Sequence, residues 1–370
     1  MSRTGGLAAL IRGEAVRNLR SGTTRALTFG LVWFALAASV LVWDALAVDG
    51  IAQDAAHYRS VGAATLVVAS PGGIDGAQCE RMDALPNVRG AGALRPSTSP
   101  LVPLRTPGVE LPTFDATPGA VALLLAADPV AAADPGVALD GVFVSDEVAD
   151  VLALHPGDTL ATEAGDVVVA GVFASPDDGR RAGLGFAAVQ TVPAGAAFDE
   201  CRVAVWPESR QVQAIVTASV LAPPASDAGA PVIGQLNPTL GDGFDAPGRF
   251  RTRATALLPL AVLGGCAALG FVAVRLRRLE LAAARGVGVG LRVQVGQLAL
   301  ETLAWLVPAA TAALAVGVGT ALAQNPGTVP AGVEYAGVVL GGGVACGLAG
   351  ALLAVATVSP RRLHAYFRDR

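Results

Sequence analysis

The chain contains no lysine, since all 26 of its basic residues are arginine. A Walker A lysine, a Schiff-base lysine and any other catalytic lysine are therefore excluded. Histidine is also scarce: His57, His155 and His364 lie far apart in the sequence and form no metal-ligand spacing with the cysteines. Nothing in the sequence indicates an enzyme or a metal site, and we expect no cofactor on this chain.

Charged residues make up only 15% of the 370 residues, whereas 53% are hydrophobic and the mean hydropathy is +0.55. An ordinary soluble domain carries about 25% charged residues, so this composition indicates a membrane protein. The net charge of −4 and the pI of 5.4 argue against nucleic-acid binding, which requires clustered excess basic charge.

Four apolar runs are long enough, at roughly 20 residues each, to cross a bilayer as helices. The sequence predicts spans at 26–47, 254–274, 298–323 and 335–358. The first run is longer and more uniformly apolar than a cleaved signal peptide, so we interpret it as retained. The prediction is an integral membrane protein with a four-helix transmembrane bundle.

Arginine placement predicts the orientation of this bundle, because cytoplasmic flanks collect basic residues. The segments 1–25, 275–297 and 359–370 hold five, five and four arginines, against one acidic residue each. The segment 45–253 has twelve arginines and twenty-four acidic residues. We therefore predict a multi-pass plasma-membrane protein with both termini cytoplasmic.

The remaining boundaries follow from this orientation. Residues 48–253 are predicted to form an extracytoplasmic domain, and 324–334 an extracytoplasmic turn. The charge rule is contradicted just before the second span by Arg249, Arg251 and Arg253. We give more weight to the three basic segments, which agree with one another.

Two patterns concern the helices themselves. Leu7–Leu19 carries apolar residues at helical spacing and is predicted to be an amphipathic helix on the cytoplasmic leaflet. Gly343 and Gly347 have the GxxxG spacing that lets helices approach closely. In a chain with 45 glycines this spacing arises easily by chance and does not define a packing face.

Alternating apolar runs and turn residues predict a split α+β domain outside the membrane. The first βαβ unit is strand 65–69, helix 75–85 capped by Asp75 and strand 88–94, and the second is strand 202–206, a helix from Pro207 to Val220 and strand 232–236. Between them, 141–173 predicts an inserted β-rich module with a helix capped by Ser145 and a hairpin. The stretch 96–135 is rich in Pro, Ala and Thr and allows no assignment.

The four cysteines divide by compartment. Cys79 and Cys201 alone fall in the predicted oxidising compartment, one in each half of the split domain, so we predict a disulfide between them. Cys266 and Cys346 fall within the second and fourth spans, where we interpret them as small apolar packing residues.

Three stretches of the chain carry a family pattern. They are GEAVRNLRSGTTRALTFG at 13–30, VFVSDEVADVLALHPGDTLATEAGDVVVAGVF at 142–173 and RLRRLELAAARGVGVGLRVQVGQLALET at 275–302. In order, they resemble the amphipathic helix with the entry to the first span, the hairpin module of the periplasmic domain and the cytoplasmic loop of MacB/FtsX-type ABC transporter permeases. The resemblance covers essentially the whole chain, and the third stretch is its most specific part.

This resemblance implies partners and contacts. The residues that would contact a separate ABC ATP-binding subunit are Arg277, Arg278, Glu280, Arg285 and Gly286. ATP would bind the partner subunit rather than this chain. A second permease would complete a homodimer or heterodimer within the lipid bilayer, and no nucleic acid is implied.

Glu301 falls at the glutamate of the third span in the family that the chain resembles. An ionisable group at membrane depth indicates a functional site. A salt bridge with an arginine of the cytoplasmic loop is an equal alternative.

The resemblance implies a permease subunit of the mechanotransmission type, which couples ATP hydrolysis by a separate ATPase to motion of the extracytoplasmic domain for export or extraction of a substrate. Two alternatives stay open: an FtsX-like membrane regulator of a cell-wall enzyme, and a membrane sensor without any ATPase.

Overall fold

The structure is a computed structural model that describes residues 3–126, 141–181, 183–220, 231–324 and 326–359. The chain divides into two units. Residues up to Ala52 and from Ala246 onward form a helical unit, and Gln53–Asp245 form a sheet unit. The predicted tail after Ser359, and 127–135 of the unassigned stretch, lie outside the described residues.

The helices are numbered in chain order. They are α1 (Arg3–Arg20), α2 (Ala26–Ser60), α3 (Gly76–Arg81), α4 (Pro118–Ala126), α5 (Asp146–Leu152), α6 (Arg210–Val220), α7 (Ala246–Thr252), α8 (Leu258–Arg275), α9 (Arg278–Gly286), α10 (Leu291–Gln324) and α11 (Val329–Thr357). Short 3₁₀ turns lie at Met82–Ala84 and Pro326–Thr328.

Within the described residues, four helices are long and apolar enough to cross a membrane, by length and composition: Ala26–Ser60, Leu258–Arg275, Leu291–Gln324 and Gly332–Thr357. They coincide with the four predicted runs but differ in their ends. α2 continues well past the predicted end at 47, and α10 begins before the predicted start at 298. Bilayer thickness sets the length of the apolar run, whereas the helix continues as long as its residues favour helix.

Prolines mark the starts of the other two apolar helices. α8 begins at Leu258, four residues later than predicted, with Pro259 in its first turn. α11 begins at Val329, six residues earlier than predicted, with Pro330 in its first turn. Proline is favoured there because the first helical residues need no backbone N–H donor. Much of the predicted 324–334 turn is therefore helical.

Glycines bring the backbones of α8 and α11 into contact. A Cβ on Gly270 would overlap the carbonyl oxygen of Gly347, and a Cβ on Gly350 would overlap that of Ala267. Gly343 instead lies against Trp33, which is fully buried in the core of the bundle. The small residues thus serve helix packing within the chain.

Among the described residues, the sheet unit has one nine-stranded mixed sheet in the order β5-β6-β4-β7-β3-β2-β8-β1-β9. The strands are β1 (Thr65–Asp75), β2 (Val88–Pro96), β3 (Thr113–Ala116), β4 (Val142–Ser145), β5 (Thr159–Thr162), β6 (Gly165–Phe173), β7 (Ala188–Thr191), β8 (Ala197–Val205) and β9 (Val232–Gln235). Parallel pairing occurs between β3 and β7 and between β4 and β6, and the other pairs are antiparallel.

The two predicted βαβ units interleave at one end of this sheet. β8 lies between β1 and β2, and β1 lies between β8 and β9, which gives a split arrangement. Asp75 caps α3 as predicted, because its carboxylate accepts a hydrogen bond from the backbone N–H of Gln78. The second helix begins at Arg210 rather than at Pro207.

The middle segment differs from the predicted inserted module, although Ser145 caps α5 and β5 with β6 forms the predicted hairpin. β4 also pairs with β7, β7 with β3, and β3 with β2, so the module is part of one continuous sheet. The sequence does not predict β3, α4 and β7. The two strands have four residues each, which is too short for their alternation to stand out.

Candidate functional site

Polar side chains, several of them buried, gather at the end of the helical unit where α1 ends, α8 passes into α9, α10 begins and α11 ends. We call this group the arginine junction. It consists of Asn18, Arg277, Glu280, Arg285, Gln294, Gln297 and Glu301. An apolar cluster that includes Val274, Leu281, Leu298 and Val355 packs at the same end of the helices.

Glu301 is the centre of the junction. Its Oε1 accepts hydrogen bonds from Asn18 Nδ2 at 2.8 Å and Gln297 Nε2 at 3.0 Å, and its Oε2 pairs with the guanidinium of Arg277. Only 3% of Glu301 is exposed. Three elements therefore meet on one carboxylate: α1, the link between α8 and α9, and α10 itself.

Arg277 joins this carboxylate to a second one. Its Nε and Nη2 donate to the two oxygens of Glu280 at 2.9 and 2.7 Å, while its Nη1 donates to Glu301. Burial opposes the charged guanidinium, but the hydrogen bonds and charges of both glutamates outweigh it and raise the pKa of Arg277 above its ordinary value. The buried arginine therefore stays charged, and each of its three guanidinium nitrogens donates a hydrogen bond to a carboxylate, as a buried charge requires.

Arg285 connects α9 to the two following helices. Its Nε donates to Gln294 Oε1 at 2.7 Å, and its Nη atoms donate to the carbonyl oxygens of Val355 and Val358. A cation is favourable at this place because the last carbonyls of a helix carry partial negative charge. Gln294 in turn donates to the carbonyl oxygen of Leu281 at 3.0 Å, so this one side chain of α10 both accepts a hydrogen bond from α9 and donates one to it.

The structure separates the five predicted contact residues into two sets. Arg277 and Arg285 hold the junction together, with Glu280 exposed but paired to Arg277. Arg278, at the start of α9, is half-buried. Gly286 is the exposed last residue of α9, where a Cβ would meet nothing within 4 Å. The nearby Gly288 has a left-handed backbone, with φ 96°.

Sequence reasoning missed Asn18, Gln294 and Gln297. The apolar pattern of α1 placed Asn18 on the polar face, yet the residue is 9% exposed and bonded to Glu301. The signal for the other two was present, because Gln294, Gln297 and Glu301 recur at spacings of three and four and so share one face of α10. A polar face on an apolar helix predicts a buried polar network.

A second buried ion pair explains one arginine that contradicted the charge rule. Arg253 donates from Nε to Asp44 Oδ1 at 2.8 Å and from Nη2 to Tyr335 Oη at 3.2 Å, and Thr255 Oγ1 also donates to Asp44. The hydrogen bond to Asp44 is the largest contribution that raises the pKa of Arg253 above its ordinary value. The position of Arg253 is thus explained by this ion pair within the helical unit.

The sheet unit contains a disulfide between Cys79 on α3 and Cys201 on β8, with 5.9 Å between the Cα atoms. Both residues are fully buried in the core formed by the two split βαβ units. The bond joins the two halves of the split domain, as the sequence predicts. Cys266 and Cys346 are free thiols in α8 and α11.

Over the described residues, no group of three or more His, Cys, Asp and Glu side chains could hold a metal ion. No protein-family model and no curated protein matches the chain. Among solved structures, the chain is similar to the periplasmic region of MacB from Actinobacillus actinomycetemcomitans, at 11% identity and a TM-score of 0.32, over 44% of this chain and 84% of that one. A likeness of this strength carries no argument about function.

Proposed function

We propose that this chain is the permease subunit of an ABC transporter of the mechanotransmission type, working with a separate ATP-binding subunit and a second permease. The observation that carries the proposal is the arginine junction. It ties α1 and the link that leads into α9, both predicted to lie at the cytoplasmic surface, to α10 through one buried carboxylate. The sequence resemblance of 275–302 to the cytoplasmic loop of such permeases supports it.

The geometry fits the transmission of force better than the binding of a substrate. A push on α9 reaches α10 through Arg277 and Gln294, and reaches α11 through Arg285. These contacts are charge-assisted hydrogen bonds between buried or half-buried groups, which are stronger and more directional than exposed ones. ATP-driven closure of the partner would bias a two-state arrangement of these helices.

Two positions on α9, the half-buried Arg278 and the exposed Gly286, allow a test of docking that leaves the residues of the arginine junction unchanged. In Arg278→Glu/Gly286→Glu, one charge is reversed and one is added on α9, where the Gly286 position has room for a side chain. We expect the variant to insert normally but to lose the ATP-binding subunit in co-purification. Arg292→Glu is the matched control, because Arg292 is exposed in the first turn of α10.

The control should retain the partner at the wild-type level. Equal retention by the docking variant would mean that the ATP-binding subunit does not dock on α9 at Arg278 and Gly286. If no ATP-binding subunit co-purifies even with the wild type, the ATPase-coupled function is wrong and a sensor function would replace it.

A further inference from the structure

A basic pocket of about 590 Å³ lies within the helical unit, between the corner that joins α1 to α2 and the link that joins α8 to α9. Among the described residues, its charged lining consists of Arg25, Arg275, Arg277 and Arg278 with one acid, Glu280. Arg277 is already paired with Glu280 and Glu301. Within the part of the chain that the structure describes, Arg25 and Arg275 pair with no carboxylate, so the pocket carries positive charge.

Thr24 gives a second and independent indication of a ligand. It lines the same pocket, is only 7% exposed, and its hydroxyl has no hydrogen-bond partner among the described residues. A buried hydroxyl without a partner is destabilising, and such groups are few in folded proteins. An acceptor that entered the pocket beside Thr24 could relieve this cost.

Two helix starts add to the positive potential. α9 begins in the pocket at Arg278 and has no side-chain cap, and α2 begins at Ala26, directly after Arg25. The first N–H groups of a helix carry partial positive charge and favour anions. The chemistry of the pocket thus suits a group with several anionic acceptor oxygens, such as a phosphate.

The remaining wall of the pocket is apolar. It includes Val272 and Leu276, which are 43% and 59% exposed at the end of α8, beside Phe29 of α2. A free phosphate would gain nothing from contact with an apolar wall. A phospholipid would place its headgroup among the arginines and its acyl chains along α8. Basic pockets between helices on the cytoplasmic side are typical sites for anionic lipid headgroups.

We propose that this pocket binds the phosphate of an anionic phospholipid of the cytoplasmic leaflet, next to α9. The inference rests on the predicted orientation of the bundle but not on the ATP-binding subunit. Because the ligand would lie between α2 and α9, its binding would stabilise the arrangement of the arginine junction. The lipid composition of the leaflet would then regulate coupling.

The test uses the full chain, purified without any ATP-binding subunit, and titrates its melting temperature with dioleoylphosphatidylglycerol or dioleoylphosphatidylcholine in detergent micelles. We expect phosphatidylglycerol alone to stabilise the wild type. Arg25→Gln/Arg275→Gln should weaken its apparent affinity about 25-fold, at about fivefold for each arginine near a lipid headgroup. Arg20→Gln/Arg292→Gln removes the same charge from exposed positions outside the pocket and should leave it unchanged.

Thr24→Val is a second pocket variant, chosen because it should fold even if the arginine variant does not. Because it removes an unpartnered hydroxyl, it should not lower the melting temperature without lipid, yet it should weaken the affinity for phosphatidylglycerol about tenfold, as loss of a hydrogen bond to a charged group does. Lipid affinity equal to the wild type in both pocket variants would overturn the proposal. So would an equal loss in the arginine control, which indicates a general surface-charge effect.

Two further arms identify the occupant. Glycerol 1-phosphate at the same concentration should give no comparable stabilisation, and an equal effect would assign the pocket to a soluble anion. If the pocket variants keep phosphatidylglycerol but lose the ATP-binding subunit in co-purification, the pocket is a protein docking site and the lipid proposal is wrong. The docking variant also changes Arg278, which lines the pocket, so the lipid titration compares only the wild type, the pocket variants and the arginine control.

Discussion

The contact between Arg277 and Glu301 offers the sharpest test of the junction, because both side chains are buried and each has other partners of known geometry. Arg277→Gln leaves Glu301 with only the amide donors of Asn18 and Gln297. Removing one member of a buried ion pair typically costs 3–5 kcal/mol, and the amides should hold the loss to about 3 kcal/mol.

The reverse substitution should cost less. Glu301→Gln leaves Arg277 with the bidentate contact to Glu280, so we expect a loss of about 2 kcal/mol in the free energy of unfolding. The double variant buries no unpaired charge at either position and should lose about 3 kcal/mol. The coupling energy between the two residues is then about 2 kcal/mol, within the range for residues of one hydrogen-bond network.

Reversible unfolding of the full chain in mixed detergent micelles, followed by tryptophan fluorescence, would measure these four stabilities. The matched control is the pair Glu14–Arg17, whose side chains are 42% and 71% exposed, and which should show a coupling of about 0–1 kcal/mol. A coupling energy for Arg277 and Glu301 as small as that of the control would refute the claim that the junction is a structural link.

Three further predictions concern the two units. Reduction of the Cys79–Cys201 bond, which closes a loop of 122 residues, should destabilise the sheet unit by about 5 kcal/mol in the chain-entropy model, and alkylation of both thiols without reductant would contradict it. Burial opposes the charged form of Asp115, but hydrogen bonds from Gln190, Ser97 and Arg95 to its carboxylate lower its pKa. The contribution of Asp115 to the stability of the fold should therefore be complete above about pH 4 and be lost as the pH falls through the folded pKa. The stability difference between wild type and Asp115→Asn should therefore shrink in acid, and a constant difference from pH 7 to pH 2 would exclude this role. For orientation, a membrane-impermeant thiol reagent should label Ala164→Cys and spare Gly286→Cys in intact cells, and the reverse pattern would invert the topology.

The sequence predicts the elements that have long or sharply punctuated patterns. The apolar runs of α2 and α11 and the caps Asp75 and Ser145 are of this kind, because burial period and capping chemistry act locally. β3 and β7 escape prediction because four residues do not establish an alternation, and their pairing depends on a neighbour distant in sequence.

The same distinction applies to the junction. Arg277, Arg285 and Glu301 are found from the sequence because they lie in the stretch 275–302, which resembles the cytoplasmic loop of MacB/FtsX-type permeases. Asn18 does not stand out, because its partner Glu301 is 283 positions away and only the tertiary structure brings them together. Long-range polar contacts depend on the packing of whole helices, which no local pattern encodes.

In the proposed function, the arginine junction transmits motion between an ATP-binding subunit and the bundle. The most direct measurement is the ATP hydrolysis rate of the reconstituted complex with the wild-type chain and with Arg277→Gln/Glu301→Gln. We predict that the double variant still binds the ATP-binding subunit but changes permease-stimulated hydrolysis by about tenfold, the scale of a typical coupling free energy. Normal association together with wild-type stimulation would contradict the account.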